Sequence, residues 1–207
     1  MKPEPTVDLG FTAEPFPAGT HMCLIYRDEQ ERRDVISRYL EAGVAGGEMV
    51  GYFADAEVLV DDYLEEMGVS VPESARERRV LLRRSRETYC PDGRFDIERM
   101  LDKLRTFHQA GVEQGLSGTR VSGEMGWALE PVKGCEGLIE YEARVNLVLR
   151  EHPVTAICQY DANRFDGATL FEVISVHPVM VVRGQVVNNP YYVQPETFLA
   201  RLGEGGR

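Results

Sequence analysis

Short, continuous apolar runs alternate with amphipathic segments along most of this chain, and this alternation constrains the fold more than any other feature. A short apolar run without polar interruption is typical of a strand that is buried on both faces. Such runs predict strands over residues 22–26, 49–53, 80–82, 119–127 and 153–160. Apolar residues at helical spacing predict a helix beginning after Asp28, where a capping box starts, and further helices over 56–67, 95–115, 135–151 and 167–174.

Strands that alternate with helices form βαβ units, in which a parallel sheet is covered by helices on both faces. We therefore expect an α/β, three-layer fold with a mostly parallel five-stranded sheet. A C-terminal β-hairpin should follow over residues 178–187. Residues 1–18 are rich in proline and lack periodicity, which predicts an extended N-terminal arm. The remaining chain is then a single domain over residues 19–192 and a short tail over 193–207.

Composition indicates an ordinary globular protein of the cytoplasm. The 207 residues are 43% hydrophobic and 28% charged, which suits one well-filled core. The apolar stretches are too short to span a bilayer, and the acidic N-terminus lacks the apolar segment of a signal peptide. The four cysteines are widely spaced without a C-x-x-C pair, which favours reduced thiols over a disulfide scaffold.

The net charge of −11 limits the partners that the chain is expected to bind. Nucleic-acid binding requires clustered Lys and Arg to neutralise phosphates, and this chain has an excess of carboxylates. Adsorption to anionic membranes is disfavoured for the same reason. We therefore expect neither direct nucleic-acid binding nor membrane binding.

Alternating strands and helices also suggest a P-loop NTPase, but the phosphate-binding loop is missing. That loop has the pattern G-x-x-x-x-G-K-[ST], and none of the three lysines of this chain follows a glycine. After Tyr26, where the loop should stand, the sequence is RDEQE, whose three carboxylates would repel a triphosphate. A G-x-G-x-x-G dinucleotide motif is absent as well. We expect no enzyme activity, no catalytic residues and no cofactor.

In parallel sheets, ligands bind beyond the carboxyl ends of the strands. Polar and aromatic side chains follow the predicted strands there, and we expect a ligand site that includes Tyr26, Arg27, Glu124, Trp127, Tyr160 and Asp161. Two alternatives stay open. Trp127 could belong to the core, with Glu124 paired to Arg120 or Arg144. Asp161 could cap the next turn together with Asn163, and this is the favoured role for that carboxylate.

Four further side chains have the chemistry of soft-metal ligands: His21, Cys23, Cys158 and His177. His21 and Cys23 share one face of a strand, but at the end away from the expected pocket. Because free cysteine is commonly a small buried residue, a structural role is favoured and no metal site is predicted. Glu142 is expected on an exposed helix face with Glu140 and Arg144.

Several short segments together resemble the MEDS domain, the sensory domain of the DcmR regulator and of methanogen and methylotroph proteins. The similarity extends over about residues 19–190. It rests on GTHMCLIY at 19–26, YLEAGVAGGE at 39–48, GRFD at 93–96, RVSGEMGW at 120–127, Tyr141 and Glu142 with Asn146, CQYD at 158–161, and His177 with Pro178.

The resemblance implies a RecA/KaiC-type fold whose phosphate loop has eroded, with Glu124 where such ATPases carry a magnesium-binding aspartate. It also implies sensing of a small organic molecule, including simple hydrocarbon derivatives, for transcriptional or signalling control. Some relatives carry a DNA-binding helix-turn-helix, which fits neither the arm nor the tail here. Output through a protein partner is therefore expected, and the apolar hairpin leaves self-association open.

Two other functions remain as alternatives. One is a residual nucleotide-binding protein that uses Glu124 and an unusual phosphate site. The other is a ligand-free interaction scaffold that docks a kinase or a sigma-factor regulator.

Overall fold

The computed structural model describes residues 5–55, 60–69, 72, 75 and 78–205, and its core is a seven-stranded sheet. Two short strands, β1 (Thr6–Val7) and β2 (Phe16–Pro17), pair with each other outside that sheet. The sheet itself consists of β3 (His21–Tyr26), β4 (Met49–Ala54), β5 (Val80–Arg84), β6 (Thr119–Glu124), β7 (Val154–Asp161), β8 (Val179–Val182) and β9 (Gln185–Asn188).

The strand order is β5-β4-β6-β7-β3-β8-β9, and every pair is parallel except β8 with β9. The predicted α/β class, the mostly parallel sheet and the C-terminal hairpin are confirmed. The predicted number of five strands is wrong, because the hairpin joins the same sheet: β8 pairs in parallel with β3, Met22 opposite Val179.

The helices cover both faces of the sheet. Their bounds are α1 (Glu29–Ala45), α2 (Val60–Glu66), α3 (Ser85–Tyr89), α4 (Ile97–Glu113), α5 (Leu138–Glu151), α6 (Gly167–Val176) and α7 (Pro195–Gly205). The first four residues of the helix expected over 56–67 lie outside the described residues. Helix α7 occupies the segment that was expected to be only a tail. Each described helix is too short or too polar to cross a membrane.

Alternate residues of each strand point to opposite faces, and two apolar clusters fill them. Met22 of β3 belongs to the apolar cluster that also contains the buried residues of α1, on what we call the α1 face. Its neighbour Cys23 belongs to the cluster on the opposite side, where α5 and α6 contact β3; we call this side the α5 face. The same alternation sends Cys158 and Tyr160 of β7 to the α5 face, which positions the site described below.

The N-terminal arm is fastened to the α1 face. Leu9 is completely buried, and the carbonyl of Asp8 accepts a hydrogen bond from Arg120, 2.8 Å away. The buried guanidinium of Arg120 also pairs with Glu48, with 2.8 Å between Nε and Oε2. A buried ion pair therefore links the arm, β6 and the loop after α1.

Candidate functional site

Four buried side chains with metal-binding chemistry meet on the α5 face: His21, Glu142, Cys158 and His177. Their donor atoms all lie within 4.8 Å of one another. Oε2 of Glu142 is 3.2 Å from Nε2 of His21 and 3.6 Å from Nε2 of His177. Sγ of Cys158 is 3.5 Å from both Nε2 of His21 and Oε2 of Glu142. We call these residues the four-residue cluster.

Each member of the four-residue cluster comes from a different element. His21 opens β3, Cys158 lies on the neighbouring strand β7, and Glu142 projects from α5 above them. His177 is the C-cap residue of α6. Cys23 lies directly opposite Cys158 in the strand pairing and is buried on the same face, but it is not one of the four.

The outward-facing atoms of the cluster are held by hydrogen bonds. Nδ1 of His177 donates to the carbonyl of Val173 over 2.8 Å, which directs Nε2 into the cluster. The amide nitrogen of Asn146 donates to the carbonyls of Glu142 and Val176, so its oxygen accepts from Nδ1 of His21 over 3.2 Å. The hydroxyl of Tyr160 donates to Oε1 of Glu142 over 2.6 Å.

Burial shapes the protonation of the four-residue cluster. Burial and the neighbouring Glu142 carboxylate raise the pKa of the Cys158 thiol well above its usual value. Burial and the charge of His21 lower the pKa of His177 to about 3, so this imidazole is neutral at ordinary pH. Burial opposes ionisation of Glu142, but the hydrogen bond with His21 and the nearby His177 hold the pKa of this carboxyl below its usual range.

A second buried cluster fills the space at the carboxyl ends of the strands on the α1 face. Nη1 of Arg32 lies 3.0 Å from Oε1 of Glu124 and 3.0 Å from the side-chain oxygen of Gln159. The hydroxyl of Tyr52 donates to the same Glu124 oxygen, and the backbone N–H of Asp55 donates to the other one. The predicted pairing of Glu124 with Arg120 or Arg144 is wrong, because Arg32 reaches it from α1.

The connection from β3 to α1 contains only Arg27 and Asp28. The Asp28 carboxylate accepts the backbone N–H of Glu31 over 2.9 Å and so occupies the N-terminus of the helix. In P-loop proteins this position is a glycine-rich loop whose N–H groups bind phosphate. Here a carboxylate occupies it, and the guanidinium of Arg32 lies behind it with 1% of its side chain exposed.

The six side chains that were predicted to bind a ligand lie in different parts of the structure. Tyr26 lies beside Arg32, whose guanidinium carbon is 5.6 Å from the ring centroid, and Arg27 is exposed. Asp161 accepts the N–H of Asn163 over 2.8 Å, which is the predicted capping interaction. Glu124 belongs to the ion pair on the α1 face.

Trp127 and Tyr160 lie on the α5 face instead. The ring of Trp127 stacks on Tyr89 with 4.8 Å between centroids and is completely buried, as expected for a core residue. The structure therefore does not bring the six predicted residues into one cleft.

An apolar groove of about 870 Å³ opens between α4 and the edge of the sheet at β4 and β5. Its walls are mostly hydrophobic and include Met49, Phe53, Leu81, Met100, Leu104, Phe107 and Ala110, with charged side chains at the rim. Nε of Arg99, which also lines the groove, is a buried nitrogen without a hydrogen-bond partner among the described residues. The groove thus combines an apolar surface with the side chain of Arg99 in its wall. Sequence inspection missed it, because strand and helix patterns do not show which sheet edge stays open.

The expectation that Glu142 is exposed is wrong. Its side chain is completely buried because it faces the sheet, where it contacts His21 of β3 and Tyr160 of β7, and His177 after α6. One signal was available: Glu142 and Asn146 are four residues apart and so share a helix face. Both also belong to the segments that carry the family resemblance.

Comparison with known proteins gives one family and one fold. The family model described as MEDS, MEthanogen/methylotroph, DcmR Sensory domain, matches residues 20–178. The KaiC-like protein PH0186 from the hyperthermophilic archaeon Pyrococcus horikoshii OT3 is similar in structure, with a TM-score of 0.61 and 16% identity over 86% of this chain and 80% of that one. No curated protein sequence matches.

The flagellar accessory protein FlaH from Methanocaldococcus jannaschii is similar to about the same degree. Its TM-score is 0.60 at 9% identity, over 87% of this chain and 83% of that one. At such low identities these two likenesses establish a RecA/KaiC-like fold and nothing finer.

Proposed function

This chain belongs to the MEDS family of sensory domains, and on that basis we propose that it is a regulatory domain that senses a small organic molecule. The observation that carries the proposal is the apolar groove beside α4. Its volume of about 870 Å³ lies within the range of small-molecule pockets, which are mostly apolar with a few polar groups that orient the ligand.

The chemistry of the groove defines the class of ligand. Met49, Phe53, Leu104 and Phe107 offer hydrophobic contact, and in this proposal the guanidinium group of Arg99 in the wall supplies the charged donor. The proposed ligand is therefore a hydrocarbon derivative with an apolar body and one hydrogen-bond acceptor, such as a hydroxyl or carbonyl oxygen.

The strand ends offer less support as a ligand site. The space beyond β6 and β7 on the α1 face is occupied by the mutual hydrogen bonds of Arg32, Glu124 and Gln159. The short, carboxylate-capped turn before α1 disfavours a phosphate group at the same place. We accordingly propose a domain without ATPase activity.

Helix α4 is the element through which binding would be reported. It forms one wall of the groove, and Phe95 before it packs edge-on against Tyr141 of α5 with 5.5 Å between ring centroids. A ligand that prefers one position of α4 shifts the population of that position. In this proposal a partner protein detects the shift in transcriptional or signalling control, and the net charge of −11 favours a protein over a nucleic acid.

The proposal places the domain in the cytoplasm, where thiols remain reduced. All four cysteines are free, and three of them are buried.

Methyl NMR of the methionines tests the proposed ligand site. Met49 and Met100 line the groove, whereas Met22 is buried on the α1 face. We expect benzyl alcohol to shift the signals of Met49 and Met100 and to leave that of Met22 unchanged. Toluene, which lacks the acceptor, should bind more weakly by about tenfold, because a hydrogen bond to a charged group contributes about 1.5–3 kcal/mol.

A matched pair of variants on α4 provides the control. Ala110→Trp fills the groove from a partly buried position, whereas Val112→Trp adds the same ring to a side chain that is 56% exposed. Binding should be lost in the first variant and kept in the second. Shifts that appear with magnesium-ATP only would favour the nucleotide-binding alternative, and the absence of any shift would favour the scaffold.

A further inference from the structure

We propose that His21, Glu142, Cys158 and His177 bind one divalent transition-metal ion of the Zn²⁺ type, in a closed tetrahedral site. This proposal is independent of the groove and of the sensed molecule, because it rests on the geometry of the four-residue cluster. Two imidazoles, one thiolate and one carboxylate are ligands that Zn²⁺ accepts.

The distances within the cluster fit a metal that would lie between its members. With bonds of about 2.0–2.3 Å to N, O and S, tetrahedral ligand atoms lie about 3.3–3.6 Å from one another. Oε2 of Glu142 lies 3.2 and 3.6 Å from the two Nε2 atoms, and Sγ of Cys158 lies 3.5 Å from Nε2 of His21 and from that carboxylate oxygen. Small shifts of side chains would complete the coordination.

The histidine orientations carry the argument further. Histidines that bind a metal usually donate the N–H of the other ring nitrogen to a carbonyl or carboxylate group. His177 donates Nδ1–H to Val173, and Nδ1 of His21 meets the oxygen of Asn146, so both Nε2 atoms face the cluster. Nε2 of His177 is completely buried and has no hydrogen-bond partner among the described residues, which is costly unless an unseen group binds it.

The charges of the four ligands are compatible with a divalent ion in the protein interior. Two neutral imidazoles, one carboxylate and one thiolate carry two negative charges, which balance the charge of a bound M²⁺ ion. No net charge is therefore introduced into the interior, where an uncompensated ion is strongly disfavoured.

The remaining cluster contacts suit a rigid, closed centre. The Tyr160 hydroxyl holds the free carboxylate oxygen Oε1 of Glu142 and so orients Oε2 towards the other ligands. A surface cavity of about 550 Å³ is lined by His21 and Asn146 and lies beside the cluster. Four protein ligands leave no position open for a reacting molecule, as in structural zinc sites. The metal would tie β3, β7, α5 and α6 together.

Cobalt binding tests the site directly on the full-length protein. After treatment with a chelator and dialysis, the protein is titrated with Co²⁺ and then with Zn²⁺. We expect one Co²⁺ per chain, intense visible d–d bands typical of tetrahedral coordination, and a thiolate-to-metal charge-transfer band in the near ultraviolet. Zn²⁺ should displace Co²⁺ and remove both features. If the wild-type protein does not bind one Co²⁺ per chain with these tetrahedral bands, the proposal is overturned, and no variant is needed to show it.

The variants separate ligands from neighbours. Cys158→Ser should abolish the charge-transfer band, and His177→Gln should weaken Co²⁺ binding by at least tenfold. Cys23→Ala is the matched control, since Cys23 is buried opposite Cys158 on the same face and should leave the spectrum unchanged. Circular dichroism of each variant identifies loss of folding. If the charge-transfer band persists in Cys158→Ser and disappears in Cys23→Ala, the sulfur ligand is Cys23. That result would overturn the proposal.

Discussion

Buried charged residues define both unusual clusters of this molecule. Arg32 and Arg120 are 1% and 0% exposed, and Glu142 is completely buried. Each basic residue has an acidic partner or the reverse: Arg32 pairs with Glu124, Arg120 pairs with Glu48, and Glu142 pairs with His21. A buried ion pair is weak evidence for stability, but removal of one partner is strongly destabilising because it leaves the other charge uncompensated.

The pair of Arg32 and Glu124 provides a prediction at this scale. Arg32→Met should lower the free energy of unfolding by about 3–5 kcal/mol, because Glu124 then remains buried without its cation. The double variant Arg32→Met with Glu124→Gln should recover most of that loss. Urea unfolding followed by circular dichroism measures both values.

Arg33→Met is the control for this experiment. Arg33 is the next residue on α1 and is 34% exposed. It pairs with the exposed Glu29 and lies 3.5 Å from the carbonyl of Glu66, so the change should stay within about 0.5 kcal/mol. Equal effects at positions 32 and 33 would show that the buried pair is not a determinant of stability.

At the scale of elements, α1 approaches the sheet closely because it carries a glycine above β6. A Cβ atom at Gly43 would lie 2.5 Å from both Cδ and Nε of Arg120. Those atoms cannot move freely, since the guanidinium is held by Glu48 and by the carbonyls of Tyr39 and Asp8. Glycine at position 43 therefore lowers the helix propensity of α1 but leaves room for the Arg120 side chain.

Gly43→Ala should consequently destabilise the protein by about 1–3 kcal/mol, although alanine is the better helix former. Thermal or urea unfolding measures the difference. The control is Gly203→Ala in α7, where an added Cβ meets nothing within 4 Å and the variant should gain up to about 1 kcal/mol. A gain at both positions would contradict the close packing of α1 on Arg120.

At the scale of the whole molecule, segments far apart in the chain complete the sheet and its two layers. The N-terminal arm places Leu9 in the apolar cluster of the α1 face. At the other end of the chain, β8 extends the sheet beside β3, and α7 packs on α5. The arm and the C-terminal region thus contribute to the same core as the βαβ units between them.

The arm gives the prediction at this scale. Leu9→Ala should lower the free energy of unfolding by about 2–5 kcal/mol, the usual range for a fully buried leucine, because a cavity forms under α1. Glu14→Ala in the same arm alters an exposed side chain and should have an effect below about 0.5 kcal/mol. Similar unfolding midpoints for the two variants would indicate that the arm is not packed on the domain in solution.

Local patterns accounted for much of the architecture. Side-chain periodicity and caps are properties of neighbouring residues, so they predicted the α/β class, the mostly parallel order and the hairpin. The sequence also identified the missing phosphate loop and the family resemblance. It named His21, Cys158 and His177 as residues with metal chemistry, but favoured a structural role for them.

What only the tertiary structure decided is which of these residues meet. Arg32 of α1 reaches Glu124 at the end of β6, β8 continues the sheet beside β3, and α5 turns Glu142 towards the sheet. The four-residue cluster joins positions 21 and 177 through strand register and helix packing. Such contacts depend on the relative placement of whole elements, which is set by non-local packing and leaves little trace in the pattern of any single segment.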